Sequence, residues 1–237
     1  MIASILEKTW SDLRAFDYWP EIGEGTLDTL TMTGCALLFT VMIGLPLGTL
    51  LFLTSPAHRS PRPSFRRVQS WAYRLLSFLV NLLRSVPFLI LLILVIPATR
   101  AVVGTSLGVR GAIPPLVIAS TPFFARLVES VLREVESGVF ETCSAIGATT
   151  RQTVCWALLP EASAPLCAAI TVTAIALIGY SAMAGVIGGG GLGDLAVRYG
   201  YQRFDTQVML ATVAILVLIV QIVQWVGDRL VARLAHR

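Results

Sequence analysis

Charged residues are scarce in this chain. Only 14% of its 237 residues are Asp, Glu, Lys or Arg, whereas an average soluble domain contains about a quarter. Hydrophobic residues make up 55% of the sequence, and the mean hydropathy is +0.76. This shortage of charge argues against a soluble globular protein and indicates a single all-α integral membrane domain.

The chain also lacks the residue patterns of a metal centre. Its four cysteines have no CxxC spacing, and its two histidines have no partner at metal-ligand spacing. We therefore expect free thiols, no bound metal and no cofactor. The residues concerned are Cys35, Cys143, Cys155, Cys167, His58 and His236.

Patterns of catalysis are missing as well. No Ser-His-Asp, Cys-His or paired-carboxylate arrangement occurs among residues expected in one compartment, and no GxxxxGK[ST] motif is available to bind ATP. Residues 188–193 contain GxGxxG, but an apolar run precedes them where a nucleotide-binding site needs a strand. We interpret them as a flexible external turn, and we do not expect an enzyme.

Five apolar runs are each long enough to cross about 30 Å of hydrocarbon as a helix. They cover residues 32–52, 75–99, 111–131, 162–187 and 208–227. The first, second, fourth and fifth runs have no acid near their middle, which argues against a proton-coupled secondary carrier, since such carriers need buried titratable groups.

Two of the runs are interrupted. Residues 75–99 include Arg84 and Pro87, and residues 111–131 include three prolines. Proline removes a backbone donor, and broken helices persist in membranes only inside protein or beside a water-filled path. The pattern predicts that these two spans are broken and line a pore, with the other three spans more exposed to lipid.

Basic residues predict the orientation. Eleven Arg fall in the loop between the first and second spans, in the loop between the third and fourth spans and in the C-terminal tail, and six Lys and Arg fall on the other side. The positive-inside rule then places the C-terminus and residues 134–161 in the cytoplasm and the N-terminus outside. The eleven are Arg59, Arg62, Arg66, Arg67, Arg74, Arg126, Arg133, Arg151, Arg229, Arg233 and Arg237, and the six are Lys8, Arg14, Arg100, Arg110, Arg198 and Arg203. Because no basic stripe is interleaved with exposed aromatics, we expect no nucleic acid partner.

The first 28 residues are acidic and do not have the basic start of a signal peptide. Trp10, Tyr18 and Trp19 suggest a periplasmic segment resting at the membrane interface. A disordered tail is the alternative that the sequence leaves open.

Residues 134–161 form the most informative segment. Its helical stretch is predicted to end at Gly147, which can adopt φ > 0. Thr149 and Gln152 have the spacing of a capping box for the next helix, which Pro160 closes or follows. Small residues such as Ser144 and Ala145 would let another surface approach this corner closely. An ordinary cytoplasmic helix-turn-helix is the alternative interpretation.

Two further groups are candidates for the pore or its gate. Arg84, beside Pro87, either lines the pore or extends to the cytosolic interface. Tyr180, Ser181 and Met183 lie in a run of small residues that suits a gate, with ordinary helix packing as the alternative.

The spacing from Glu141 through Gly147 to Leu159 and Pro160 resembles the coupling loop of ABC-importer permeases. The chain as a whole resembles the methionine-type ABC importer permeases. It departs from the usual loop pattern at Thr142, Cys143 and Ala157. The blocks that carry the wider resemblance are residues 29–33, 81–88, 96–100, 103–108, 141–160, 179–183 and 190–193.

The resemblance implies a type I importer permease of five transmembrane helices, with residues 29–237 as the transmembrane domain. It implies a homodimer in the lipid of the bacterial cytoplasmic (inner) membrane, two cytoplasmic ABC ATPase subunits and an external substrate-binding lipoprotein. D- or L-methionine would cross by alternating access, with ATP hydrolysed on a separate chain. The implied ATPase-coupling residues are Glu141, Ser144, Ala145, Gly147, Thr149, Leu159 and Pro160. The alternatives are the same architecture for another small amino acid or a methionine derivative, a secondary carrier, and a non-transporting scaffold.

Overall fold

The computed structural model describes residues 18–55 and 63–235, and the side chains of residues 63–68 are outside the description. Predictions that concern residues 1–17, the two histidines and the arginines nearest the described ends lie outside the described residues. These are Lys8, Trp10, Arg14, His58, Arg59, Arg62, His236 and Arg237, together with the side chains of Arg66 and Arg67.

The described part of the chain is all helical. Its helices are α1 (Trp19–Thr54), α2 (Pro63–Ser85), α3 (Phe88–Val103), α4 (Gly108–Arg133), α5 (Ser137–Ala145), α6 (Thr150–Gln152), α7 (Leu159–Glu161), α8 (Ser163–Gly185), α9 (Gly191–Leu195) and α10 (Thr206–Ala235). Two π-helical stretches, Thr153–Leu158 and Ala196–Tyr201, join α6 to α7 and extend α9. Because α1 begins at Trp19, the predicted boundary at residue 28 falls inside this helix.

Four helices are long and apolar enough to cross a membrane, namely α1, α4, α8 and α10. The pair α2 and α3 is long and apolar enough only when taken together, and the two helices meet at an angle of 108°. Pro87 stands immediately before α3 with an extended backbone (ψ 136°), which ends α2 and redirects the chain. The predicted break in the second span is therefore confirmed.

The third span is not broken, contrary to the expectation from its prolines. Helix α4 runs without interruption from Gly108 to Arg133 although it contains Pro114, Pro115 and Pro122. All three prolines lie beyond the first turn, so each removes one hydrogen bond within the helix. The third lies where α1 packs closely against α4, and this packing holds the helix straight enough to continue.

Helices α1 and α4 form the centre of the bundle and run parallel. The hydroxyls of Thr40 and Ser120 are 2.6 Å apart in the buried contact between them. Further along, a Cβ on Gly44 would lie 2.7 Å from the Phe124 ring, and a Cβ on Gly48 would lie 2.5 Å from the carbonyl oxygen of Ala125. Glycine at these positions lets the two backbones approach, as in many membrane helix pairs.

Burial differs among the spans as their composition predicts. In the most apolar window of α4, 56% of the residues are buried inside the chain, against 17% in α10. The sequence with several prolines thus belongs to the buried central helix α4, whereas the uniformly apolar α10 leaves most of its surface for lipid or another chain.

The segments predicted to be cytoplasmic gather at one end of the bundle. The Gln69 side chain of α2 donates to the Leu53 carbonyl at the end of α1 (2.6 Å). A cavity of about 630 Å³ is lined both by Val139 of α5 and by Leu234 near the end of α10. The start of α2, the segment 134–161 and the C-terminal helix end therefore share one end.

The glycine run 188–193 begins as a turn, as predicted, and then enters the short helix α9, which is closely packed. Gly191 has φ of +78°, and Gly191, Leu192 and Gly193 are buried. The Leu192 amide donates to the Thr29 hydroxyl at 2.9 Å. A Cβ on Gly193 would overlap the backbone of Ala182. Glycine at residues 191 and 193 allows α9 to pack closely against α1 and α8.

Candidate functional site

The chain turns sharply between α5 and α6 at residues 145–149, which we call the corner. Gly147 has φ of +71°, a left-handed conformation that glycine adopts without steric cost. The Gly147 amide donates to the Ser144 carbonyl (3.1 Å), and the Ala148 amide donates to the Cys143 carbonyl (2.9 Å). This pair of bonds is a Schellman motif, which satisfies the last carbonyls of a helix. The predicted glycine turn is confirmed.

A capping box fixes the other side of the corner. The Thr149 hydroxyl accepts from the Gln152 amide, and the Gln152 side-chain oxygen accepts from the Thr149 amide at 2.8 Å. Each bond satisfies a backbone donor that the start of a helix would leave unpaired. Both flanks of the corner are therefore hydrogen-bonded, and the predicted capping box is confirmed.

The corner is anchored to the bundle by apolar contacts. The ring of Phe140 on α5 lies 5.8 Å from the ring of Phe52 at the end of α1. Leu158 is fully buried among Leu132 of α4 and Leu166 of α8. A movement of α5–α7 would therefore displace the ends of α1, α4 and α8, because packed side chains transmit displacement.

The seven predicted coupling residues lie on and around this corner. Glu141 and Ser144 line a cavity of about 330 Å³ between the corner and Leu53 of α1. The Glu141 carboxylate is exposed and has no hydrogen-bond partner among the described residues. Leu159 is half-buried. The other six are exposed: Glu141, Ser144, Ala145, Gly147, Thr149 and Pro160.

Two exposed apolar residues near the corner were not among the predicted coupling residues. Ile146, within the corner, is 77% exposed, and Trp156, in the following π-helical stretch, is 82% exposed. Large apolar side chains held outside the spans favour contact with another protein. No clear signal for them was present in the sequence, since apolar residues that become partly or fully buried, such as Phe140 and Leu158, lie in the same segment.

The candidates Arg84 and Pro87 lie at the break between α2 and α3. The Arg84 guanidinium carbon is 6.0 Å from the centre of the Phe123 ring on α4. Phe123 is ten residues before the end of α4, so Arg84 lies about 15 Å into the span along that helix. Both Arg84 and Pro87 are exposed on the surface of the chain.

The candidates on α8 point in different directions. Tyr180 is half-buried and stacks on Phe88, the first residue of α3. Met183, one turn later on the same face, is 49% exposed. Ser181 is buried and donates to the Ile178 carbonyl at 2.8 Å. The structure thus brings Tyr180 and Pro87 to the same break, whereas Ser181 faces the interior.

The family model described as binding-protein-dependent transport system inner membrane component matches residues 62–236. A probable D-methionine transport system permease protein MetI of Pasteurella multocida is 47% identical over 219 residues, which cover 92% of this chain and 98% of that protein. The methionine import system permease protein MetP of Bacillus subtilis is 46% identical over 208 residues, covering 88% and 90% respectively.

Solved structures share the fold. A chain of the MetNI methionine ABC transporter in an inward-facing conformation superposes with a TM-score of 0.86 at 42% identity, covering 92% of this chain and 98% of that chain. A chain of an amino acid ABC transporter crystallised with histidines has a TM-score of 0.74 at 19% identity, and covers 93% and 97%. The second likeness concerns the fold alone.

Proposed function

We propose, from the premise that this chain belongs to the family of binding-protein-dependent transport system inner membrane components, that it is the permease subunit of an ATP-driven methionine importer. The observation that carries the proposal is the near-complete alignment with methionine permeases at 46–47% identity. The chain also shares the fold of a chain of the MetNI transporter. The chain is a pore subunit of the cytoplasmic membrane, and hydrolysis of ATP occurs on a separate chain.

The corner supplies the contact with that ATPase. A cytoplasmic partner would grip the small residues Ser144 and Ala145 closely, and the Glu141 carboxylate would accept charge-assisted hydrogen bonds. The stiffness of the corner supports this role, since a rigid-body displacement passes through hydrogen-bonded turns without being absorbed. Thr149, Leu159 and Pro160 hold the segment at its fixed angle to the spans.

The orientation follows from charge. The excess of arginines at the end that carries the corner favours the cytoplasm for that end. The opposite end, with the packed glycine run 188–193, then faces an external substrate-binding lipoprotein. The N-terminus lies outside and the C-terminus inside.

A second copy of the chain completes the pathway. Arg84 is exposed at a depth where a lipid-facing charge would cost about 2.5–3.5 kcal/mol. That cost favours a water-filled path or the second copy as its neighbour. Pro87, Tyr180 and Met183 cluster around the same break, and we assign this region to the gate, with Ser181 as a packing residue behind it.

Another small amino acid or a methionine derivative is the second candidate substrate. The fold shared with an amino acid ABC transporter supports the wider substrate class without choosing a member. A secondary carrier is not favoured, because the MetNI transporter that shares this fold is an ABC transporter.

Reconstitution tests the proposal. The permease, its cognate ATPase and its binding protein are placed in liposomes with internal ATP, and labelled L- and D-methionine are offered outside. We expect accumulation that requires all three proteins. ATP-dependent accumulation of a different amino acid would replace the substrate and keep the mechanism. Uptake that persists without ATP would contradict the importer assignment.

A further inference from the structure

One acidic side chain is buried inside a spanning helix. The side chain of Glu129, on α4, is 2% exposed, and its two oxygens pair separately with Arg126 and Arg133 at 2.5 Å each. The Tyr73 hydroxyl of α2 adds a hydrogen bond at 3.3 Å. A buried carboxylate is costly unless it is paired and hydrogen-bonded. Both oxygens of Glu129 are thus paired with positively charged side chains.

The two arginines carry the network across to α2. Arg126 donates to the Ser77 hydroxyl (2.9 Å) and to the Asn81 side-chain oxygen (3.0 Å). Arg133 donates to the Tyr73 hydroxyl (3.0 Å). The three acceptors are four residues apart, so they form one stripe on α2 about 12 Å long. Along that length α2 and α4 are joined by hydrogen bonds to charged groups, the stronger kind.

The network lies between the corner and the break. Arg133 is the last residue of α4, and α5 begins at Ser137 and leads into the corner. At the other end, Asn81 is four residues before Ser85, where α2 ends and the chain turns by 108° into α3. A displacement of the corner reaches α4 directly, and the network carries it through α2 to the start of the break.

We propose that Glu129 is a positioning residue that couples the ATPase-facing corner to the α2–α3 break. It aligns Arg126 and Arg133 so that both hold α2, and α2 and α4 then move as one body. The inference rests on the proposed importer function. A glutamine at residue 129 would offer one amide oxygen and no charge, so it could not pair with both guanidinium groups as the two carboxylate oxygens do.

The test variant is Glu129→Gln, which keeps the size of the side chain and removes its charge. The control is Asp228→Asn, which removes an acid from an exposed i,i+4 contact with Gln224 on α10. In the reconstituted complex we expect Glu129→Gln to keep ATP hydrolysis within about twofold and to lower the methionine transported per ATP roughly tenfold, in the range of site-to-site coupling energies. Asp228→Asn should keep the wild-type ratio.

A second variant separates coupling from stability. Replacing all three charges (Arg126→Met, Glu129→Leu, Arg133→Met) removes the buried carboxylate together with both of its partners, so that no unpaired buried charge is left. This variant should assemble with the ATPase and still show the low ratio. A triple variant with a wild-type ratio would overturn the proposal, because the network would then be a packing feature only.

A distance measurement is independent of the substrate. Spin labels at Leu82→Cys on α2 and Ser130→Cys on α4, both exposed positions, are placed in a background without the four native cysteines. We expect one distance in the wild type with and without ATP, and a distance that changes with ATP in Glu129→Gln. Failure of methionine transport in the wild type would contradict the proposed function and leave this readout intact, whereas a wild-type distance that changes with ATP would contradict the rigid connection.

Discussion

The rings of Phe88 and Tyr180 lie nearly parallel, with centroids 4.7 Å apart and planes 14° apart. Phe88 opens α3 immediately after the break, and Tyr180 lies near the end of α8. This stack therefore joins the start of α3 to the end of α8. No hydrogen bond of the Tyr180 hydroxyl occurs among the described residues, so the ring itself makes the contact.

We expect Tyr180→Phe to behave as the wild type and Tyr180→Ala to destabilise the protein. Loss of the stack costs about 0.5–1.5 kcal/mol beyond the lost burial. Thermal unfolding of the purified protein in detergent measures the difference. If Tyr180→Phe were as destabilised as Tyr180→Ala, the hydroxyl would be the important group and the stacking argument would be wrong.

Gly147 and Gly138 offer a matched pair for the corner. Both have open space where a Cβ would go, but only Gly147 has positive φ. Gly147→Ala should destabilise the corner by about 1–2 kcal/mol, since a Cβ is disfavoured in the left-handed conformation. Gly138→Ala, within α5, should be neutral or stabilising by about 0.5–1 kcal/mol.

The readout for this pair is the fraction of ATPase that co-purifies with the permease. We expect less ATPase with Gly147→Ala and a wild-type amount with Gly138→Ala. Gly147→Asn should retain the partner better than Gly147→Ala, because asparagine tolerates positive φ. Equal losses for the two alanine variants would argue against backbone conformation as the cause.

The capping box predicts a graded effect at Thr149. Thr149→Ala removes the side-chain oxygen that accepts from Gln152 and should cost about 1 kcal/mol of local stability. Thr149→Ser keeps that oxygen and should be close to the wild type. Hydrogen exchange of the Gln152 amide gives the measurement, and unchanged protection in Thr149→Ala would contradict the structure of the cap.

Ile146 and Trp156 are expected to contact the ATPase. Their replacement by alanine should leave the thermal stability of the isolated permease unchanged, since both are largely exposed. It should weaken association with the ATPase about tenfold or more, as truncation of interface anchors does. Phe204, 85% exposed at the opposite end, is the control. A Phe204→Ala variant with the same loss of affinity would show that the effect is not specific to the corner.

Two glycines of α8 separate close packing from free space. A Cβ on Gly185 would overlap the backbone at Asp194, whereas nothing lies within 4 Å of a Cβ on Gly179. Gly185→Ala should therefore destabilise the protein by about 1–3 kcal/mol through overpacking. Gly179→Ala should not. Yields of monodisperse protein after extraction, with unfolding temperatures, compare the two, and a tolerated Gly185→Ala would mean that α9 can move away from α8.

Much of the architecture was predictable because it depends on local composition. Apolar length fixes which segments can cross the membrane, and Pro87 disfavours helix for the residue before it. The left-handed Gly147 and the Thr149–Gln152 cap depend on residues within five positions of each other. Contacts of this kind form from the chain's own neighbours, so the sequence alone determines them.

Other features depended on which distant segments meet. Helix α4 continues through Pro122 where α1 packs beside it, and Gly191 and Gly193 are needed because α9 packs closely against α1 and α8. The Glu129 network joins α4 to residues of α2 some fifty positions earlier. Sequence spacing carries no record of these pairings, since burial and charge pairing across helices exist only once the spans are assembled, and the tertiary structure alone decided them.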